Sequence, residues 1–91
     1  MKFEWDPRKA DSNLKKHGVS FQEAASVFGD ALSITYPYPN HSVTEHRFIT
    51  VGMSQSGKVL MVAHTDRGDK IRVISVRKTT QKERRYYEEG K

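Results

Sequence analysis

Arg72 and Arg77 stand five residues apart in an otherwise apolar stretch, IRVISVRK at 71–78. A guanidinium is planar, permanently charged, and offers a fork of N–H donors that matches phosphate oxygens bidentately. His17 and His64 carry the side chain that titrates near neutrality without special tuning, so either can move a proton. Glu45 can act as a base or can orient an arginine. Such groups suit chemistry at a phosphate ester, with a base for the nucleophile, cations for charge developing on phosphorus, and an acid for the leaving oxygen. Each residue also has a plainer reading. The arginines can pair with Glu45, Asp66 or Asp69, His17 can close a helix, and Glu45 can be a solvated carboxylate.

These residues need elements to position them. Residues 59–78 read as a hairpin of β-branched-rich strands around Asp66-Arg67-Gly68-Asp69, with Gly68 taking the positive φ of a three-residue loop. Before it, 46–53 forms a strand joined by the turn at 54–58, and 31–36 forms another. Residues 37–42, with two prolines and an asparagine, form a loop. Residues 2–5 make a short strand, and Asp6-Pro7 starts a helix, with Asp as N-cap and Pro at its first position. Ala10, Leu14 and His17, at i, i+4 and i+7, give that basic helix a thin apolar stripe, and Gly18 ends it. Ser20-Phe21-Gln22-Glu23 is a capping box opening a second helix with Phe21, Ala24, Ala25 and Phe28 on one face. Thr80-Gln81-Lys82-Glu83 is another, opening a last helix to about residue 89. The order β-α-α-β-β-β-β-α predicts a single α+β domain over 1–91, with an antiparallel sheet and a two-helix N-terminal hairpin on one face.

With these turns, His64 pairs with Arg72 and Phe48 with His64. One face then gathers Ile49, Val51, Met53, Met61, Ala63, Ile71 and Val73 and seats the helices. The other gathers His46, Phe48, Thr50, His64 and Arg72 beside Leu60, Val62, Ile74 and Val76. A one-residue slip in either turn inverts the grouping for its strand. The second face mixes cation, imidazole and aromatic ring, which suits RNA phosphates and unstacked bases, and its apolar part needs the last helix or a partner as cover. Arg77, Lys78, Lys82, Arg84 and Arg85, followed by Tyr86 and Tyr87, form the densest basic segment. It can hold an RNA backbone, bind an acidic partner, or be an ordinary solvated helix.

The 91 residues carry a formal charge of +5 and no cysteine. The charge favours a polyanionic partner, and the absence of thiols excludes a disulfide framework and thiolate metal sites, as suits the cytoplasm. No apolar run is long enough for a membrane span, and MKFEWDPRK lacks a signal-peptide core. The histidines of HSVTEH (41–46) are five apart, one more than the H-x-x-E-H pattern allows, and follow a proline loop, so no metal site is expected. Phosphate-loop, dinucleotide and nucleophile-elbow motifs are missing too, and no cofactor is expected.

FEWDPRKADSNLKKHGVSFQEAASVF, EHRFITVG, TDRGD, IRVISVRK and ERRYYEE, in this order and spacing, resemble the BrnT family. The resemblance implies a RelE-like fold and a ribonuclease toxin of a type II toxin–antitoxin pair. It also implies a translation block by metal-independent RNA cleavage, and neutralisation by a BrnA-like ribbon-helix-helix antitoxin whose complex binds operator DNA. The family pattern falls on Lys16, His17 and Gly18, on Glu45 and Arg47, on Arg67, and on Arg72, Ser75 and Arg77. At His64 the resemblance implies that another polar ring is accepted, and Val76 stands where a smaller residue is usual. The catalytic expectation is therefore Arg72, Arg77, His17, His64 and Glu45. The RNA-binding expectation is Lys16, Arg47, Arg67, Lys78, Lys82, Arg85 and Tyr86. A non-catalytic nucleic-acid- or protein-binding module is the alternative.

Overall fold

The computed structural model describes residues 1–38 and 45–90. The five-stranded sheet has the order β1-β5-β4-β3-β2, with β1 at Lys2–Glu4, β2 at Ile34–Pro37, β3 at Arg47–Met53, β4 at Val59–Arg67 and β5 at Lys70–Lys78. Three helices complete it: α1 (Pro7–His17), α2 (Phe21–Ser26), extended by a 3-10 turn at Val27–Gly29, and α3 (Gln81–Glu88). Four strands are antiparallel, but β1 runs parallel to β5, which corrects the expectation of a purely antiparallel sheet.

The helix ends form where the capping chemistry places them. Asp6 accepts from the Arg8 amide, with Pro7 at the first helical position, and Gly18 closes α1 at φ 71°. Ser20 accepts from the Glu23 amide. Thr80 and Glu83 make the full reciprocal box that opens α3. Leu14 does not join Ala10 on the inward side of α1, being 49% exposed; the buried residue of the helix is Asn13. Its amide donates to the carbonyls of Val19 (3.1 Å) and Val76 (2.9 Å) and accepts from the Val76 amide (3.0 Å). Since β1 pairs only with residues 70–72 of β5, Asn13 stands in for the missing strand further along and satisfies backbone groups that burial would otherwise leave unpaired.

The turn between β3 and β4 gives the expected register, with Phe48 opposite His64. The next hairpin is tighter than predicted. Arg67 pairs with Lys70 around the two-residue turn Gly68-Asp69, with Gly68 at φ 63°, so Thr65 and not His64 faces Arg72. A bulge opposite Ala63 and His64 then shifts the register again. Val73 pairs with His64 and Ser75 with Ala63, leaving Ile74 extra. The first slip moves Arg72 to the face of Met61 and Ala63, and Ile71 and Val73 to that of His64. The bulge restores the phase, so Val76 stays with Val62 and Arg77 joins Met61.

The helix assignment of the faces is corrected too. Val19, Phe21, Ala24 and Val27 pack against Leu60, Val62, Val73 and Val76, with Phe3, Trp5, Ala10 and Phe28 around them. The N-terminal helices thus seal the face that sequence patterning left open. Phe21, fully buried, contributes roughly 1.5–3 kcal/mol. Gly52 on β3 admits the segment between α2 and β2. A Cβ there would come within 2.9 Å of Ser33 Cβ and Val27 Cγ1. Tyr87 of α3 closes a second cluster with Ile49, Val51 and Val59 on the other face, and its hydroxyl donates to Asp30.

Candidate functional site

Arg72, Ser75 and Arg77 lie along one face of β5, the face that carries Met61, Ala63 and Thr65 on β4 and Arg47 on β3. Five residues apart at about 3.3 Å per residue, Arg72 and Arg77 stand near the two ends of a strip roughly 16 Å long, with Ser75 between them. Both are ion-paired, though not with the carboxylates considered above. Arg72 donates to Glu4 of β1 at 2.9 Å, and the same carboxylate is approached by Arg67 (3.4 Å) and Lys70 (3.9 Å). Arg77 grips Glu83 of α3 bidentately, both bonds at 2.9 Å, and its Nη2 also reaches Met61 Sδ. Arg77 holds the Glu83 carboxyl down at about pKa 2, and Glu83 in turn raises that of Arg77. Glu4 is lowered chiefly by its bond to Arg72.

Tyr36, Tyr38 and Tyr86 gather at the Arg77–Glu83 pair, close enough to influence one another electrostatically. Tyr36 is pushed up by burial and then by the Glu83 carboxylate, yet it and Tyr86 keep exposed ring surface. Sequence reading reached Tyr86 but missed Tyr36, Tyr38, Glu4 and Glu83 as parts of this site. Glu83 was legible only as a helix cap, although the same carboxylate faces a strand residue six positions earlier. Glu4 carries no local signal, because only the parallel pairing of β1 brings it to Arg72.

His17 and Lys16, at the end of α1, line a hollow of about 200 Å³ with Lys9 and Ser12 on the same helix and Ser75 on β5; Asn13 and Ile74 form its floor. Ser75 is exposed and belongs to both this hollow and the arginine strip. Glu45 pairs with Arg47 at 3.5 Å at the start of β3. Lys82, Arg85 and Tyr86 are exposed on α3, while Lys78 pairs with Leu60 and points to the opposite face from Arg77.

His64 does not join the site. It is 4% exposed on the helix-covered face, its Nε2 is 2.7 Å from Thr50 Oγ1, and its ring meets Phe28 edge-on and stacks on Phe48. Burial lowers its pKa, outweighing the opposite pull of Asp66. It is a core histidine. Of the HSVTEH segment, residues 41–44 lie outside the described residues. Among the described residues no cluster of His, Asp or Glu could hold a metal, and no helix is long and apolar enough to cross a membrane.

Residues 5–83 match the family model described as ribonuclease toxin, BrnT, of type II toxin–antitoxin system. The chain belongs to the BrnT family. BrnT proteins are ribonuclease toxins of type II toxin–antitoxin systems. The crystal structure of the Brucella abortus ribonuclease toxin BrnT superposes with a TM-score of 0.70, over 89% of this chain and 99% of that one. At 24% identity this likeness bears on the fold alone, and it agrees with the α+β architecture described above. No curated protein matches the chain in sequence.

Proposed function

We propose that this BrnT chain is a metal-independent endoribonuclease that works along the exposed face of β5. The observation that carries the reading is the position of Ser75. It lies between Arg72 and Arg77 on the strip and also lines the hollow that holds Lys16 and His17. Residues far apart in sequence thus converge on one surface. Guanidinium and ammonium groups there provide the cationic charge that phosphoryl chemistry requires, so the reaction needs no metal.

Arg77 stabilises the charge developing on phosphorus, with Glu83 as the carboxylate that aims its fork. A carboxyl held at about pKa 2 stays ionised and serves as an orienting group, never as an acid. Arg72 takes a phosphate further along the RNA, since its side chain is committed to Glu4, at some distance from Arg77 along the strand. His17, beside Ser75, is placed for proton transfer. Glu45 remains the alternative base, at the Arg47 end of the same face. Arg67 adds charge at the Glu4 end, and Lys82, Arg85 and Tyr86 extend the surface over α3. The partner in this reading is a BrnA-like ribbon-helix-helix antitoxin, with operator DNA bound by the complex. The fold is RelE-like and the setting cytoplasmic.

Purified chain freed of antitoxin should cut single-stranded RNA in EDTA and leave 2′,3′-cyclic phosphate ends. Arg77→Ala should lower the rate by roughly tens-fold or more, as for loss of one charge-stabilising donor. Salt-sensitive RNA binding with no cleavage at any enzyme concentration would instead support the non-catalytic module, in which the ion-paired arginines only hold the backbone.

A further inference from the structure

We infer that the hollow between α1 and β5 is a phosphate-binding subsite for single-stranded RNA, with Lys9 and Lys16 as its cationic walls. The inference rests on the ribonuclease reading and deepens it, because it moves the main backbone contact from the arginines to α1.

The first observation is the distribution of counter-charge. Arg67, Lys70 and Arg72 share Glu4, Arg77 holds Glu83, Arg47 holds Glu45, and Arg84 holds Glu88. An incoming phosphate must compete with a carboxylate at each of these. Lys9 and Lys16 make no ion pair among the described residues, which is also true of Lys15, Lys58, Lys78, Lys82 and Arg85. Lys9 and Lys16, however, line a hollow that has no carboxylate in its wall and reaches the strip at Ser75. A phosphate entering there displaces nothing. A concave surface lined by one sign of charge also concentrates the field for an anion.

The second observation is the way the hollow is built. Lys9, Ser12 and Lys16 follow at i, i+3 and i+7, so helix geometry stacks them along one edge of α1. Ser12 and Ser75 add hydroxyl donors from opposite walls. The floor is held still, because the Asn13 amide is fully engaged with the backbone of Val19 and Val76. That leaves Asn13 no group to compete for the ligand and no freedom to collapse into the space. The volume of about 200 Å³ accepts a phosphate with part of its sugar, and Ser75 leads directly from it to the arginine strip. A strand anchored in the hollow would present its next linkage to Arg77.

The experiment measures binding of a fully 2′-O-methylated RNA oligonucleotide, which lacks the attacking hydroxyl, by fluorescence anisotropy across a salt series. Lys9→Ala/Lys16→Ala should weaken binding about tenfold and flatten the plot of log affinity against log salt by about 1.4, at about 0.7 per lost contact on a single strand. Lys15→Ala removes one such charge from the same helix but outside the hollow, and should change neither quantity. Thermal melts of all three proteins establish that each is folded. Equal affinity and slope in the Lys9/Lys16 double variant and Lys15→Ala overturn the subsite. Failure of the ribonuclease reading shows separately, as unmodified RNA left intact by the unsubstituted chain. Should that chain bind without cutting, a selective loss in the double variant still supports the subsite.

Discussion

His64 carries the pH signature that falls nearest neutrality. It lies beneath Phe28, stacks on Phe48 and meets the Thr50 hydroxyl, which itself meets Thr35 at 2.7 Å. Nδ1 has no hydrogen-bond partner among the described residues, so a second proton on the ring would be buried without an acceptor. The folded-state pKa is therefore below that of the unfolded chain, near 6.5. Below that pH the unfolded chain binds the proton first, so stability is full above about pH 6.5 and declines as the pH falls toward the folded value. The lowered carboxyls of Glu4, Glu23 and Glu83 act in a more acidic window, as pH falls below about 4.5, and that of Asp30 as it falls below about 3.8. Urea melts at pH 7.5 and 5.5 should show the loss, and His64→Gln, which keeps a hydrogen-bonding head without titrating, should flatten it. An undiminished pH slope in His64→Gln would assign the effect elsewhere.

Between elements, apolar packing is joined by side chains that take the place of backbone partners. Asn13→Ala would strand the Val76 amide and carbonyl and the Val19 carbonyl inside the protein, at about 1–3 kcal/mol per unsatisfied group. The expected cost is about 3 kcal/mol or more, read as a fall in the urea midpoint without a change in slope. At the other face, Asp30 receives the Met53 amide at 2.8 Å and the Tyr87 hydroxyl, which joins α3 to β3. Tyr87→Phe keeps the ring's packing and loses only that bond to a charged acceptor, about 1.5–3 kcal/mol, and amide exchange in α3 should accelerate with it.

These contacts show what could be read from the chain. Caps at Asp6, Ser20 and Thr80 are local chemistry, so the helix starts were legible. The β3–β4 register followed from one turn. Arg72 was assigned to the wrong face because the turn between β4 and β5 is one residue shorter than predicted, a slip that the bulge at Ile74 reverses further along, so the apolar pattern barely shows it. Leu14 read as core since it is apolar at the right spacing. The position beside it was taken by an asparagine whose value appears only once β5 lacks a neighbour. For the same reason His64 read as chemistry: a polar residue within a strand looks functional until the helices that cover it are in place.

At the scale of the whole molecule, the formal +5 is not spread evenly. The described arginines of the strip face carboxylates, while the lysines of α1 do not, so the surface available to a polyanion differs from a simple map of basic residues. Membership of a toxin family gives this arrangement a cellular readout. Expression of the chain without its antitoxin should arrest growth, and Arg77→Ala should relieve the arrest. The substitution removes a strip residue, but Glu83 still accepts from the Thr80 amide at 2.8 Å, so the cap of α3 survives. The variant should therefore accumulate as folded protein with a cooperative melt, its stability lowered by roughly the 0–1 kcal/mol of a partly exposed ion pair. Growth restored together with such a melt assigns the loss to the chemistry of the strip. Growth restored because the variant is degraded would make Arg77 a folding residue, and arrest that persists at wild-type strength would remove it from the active site.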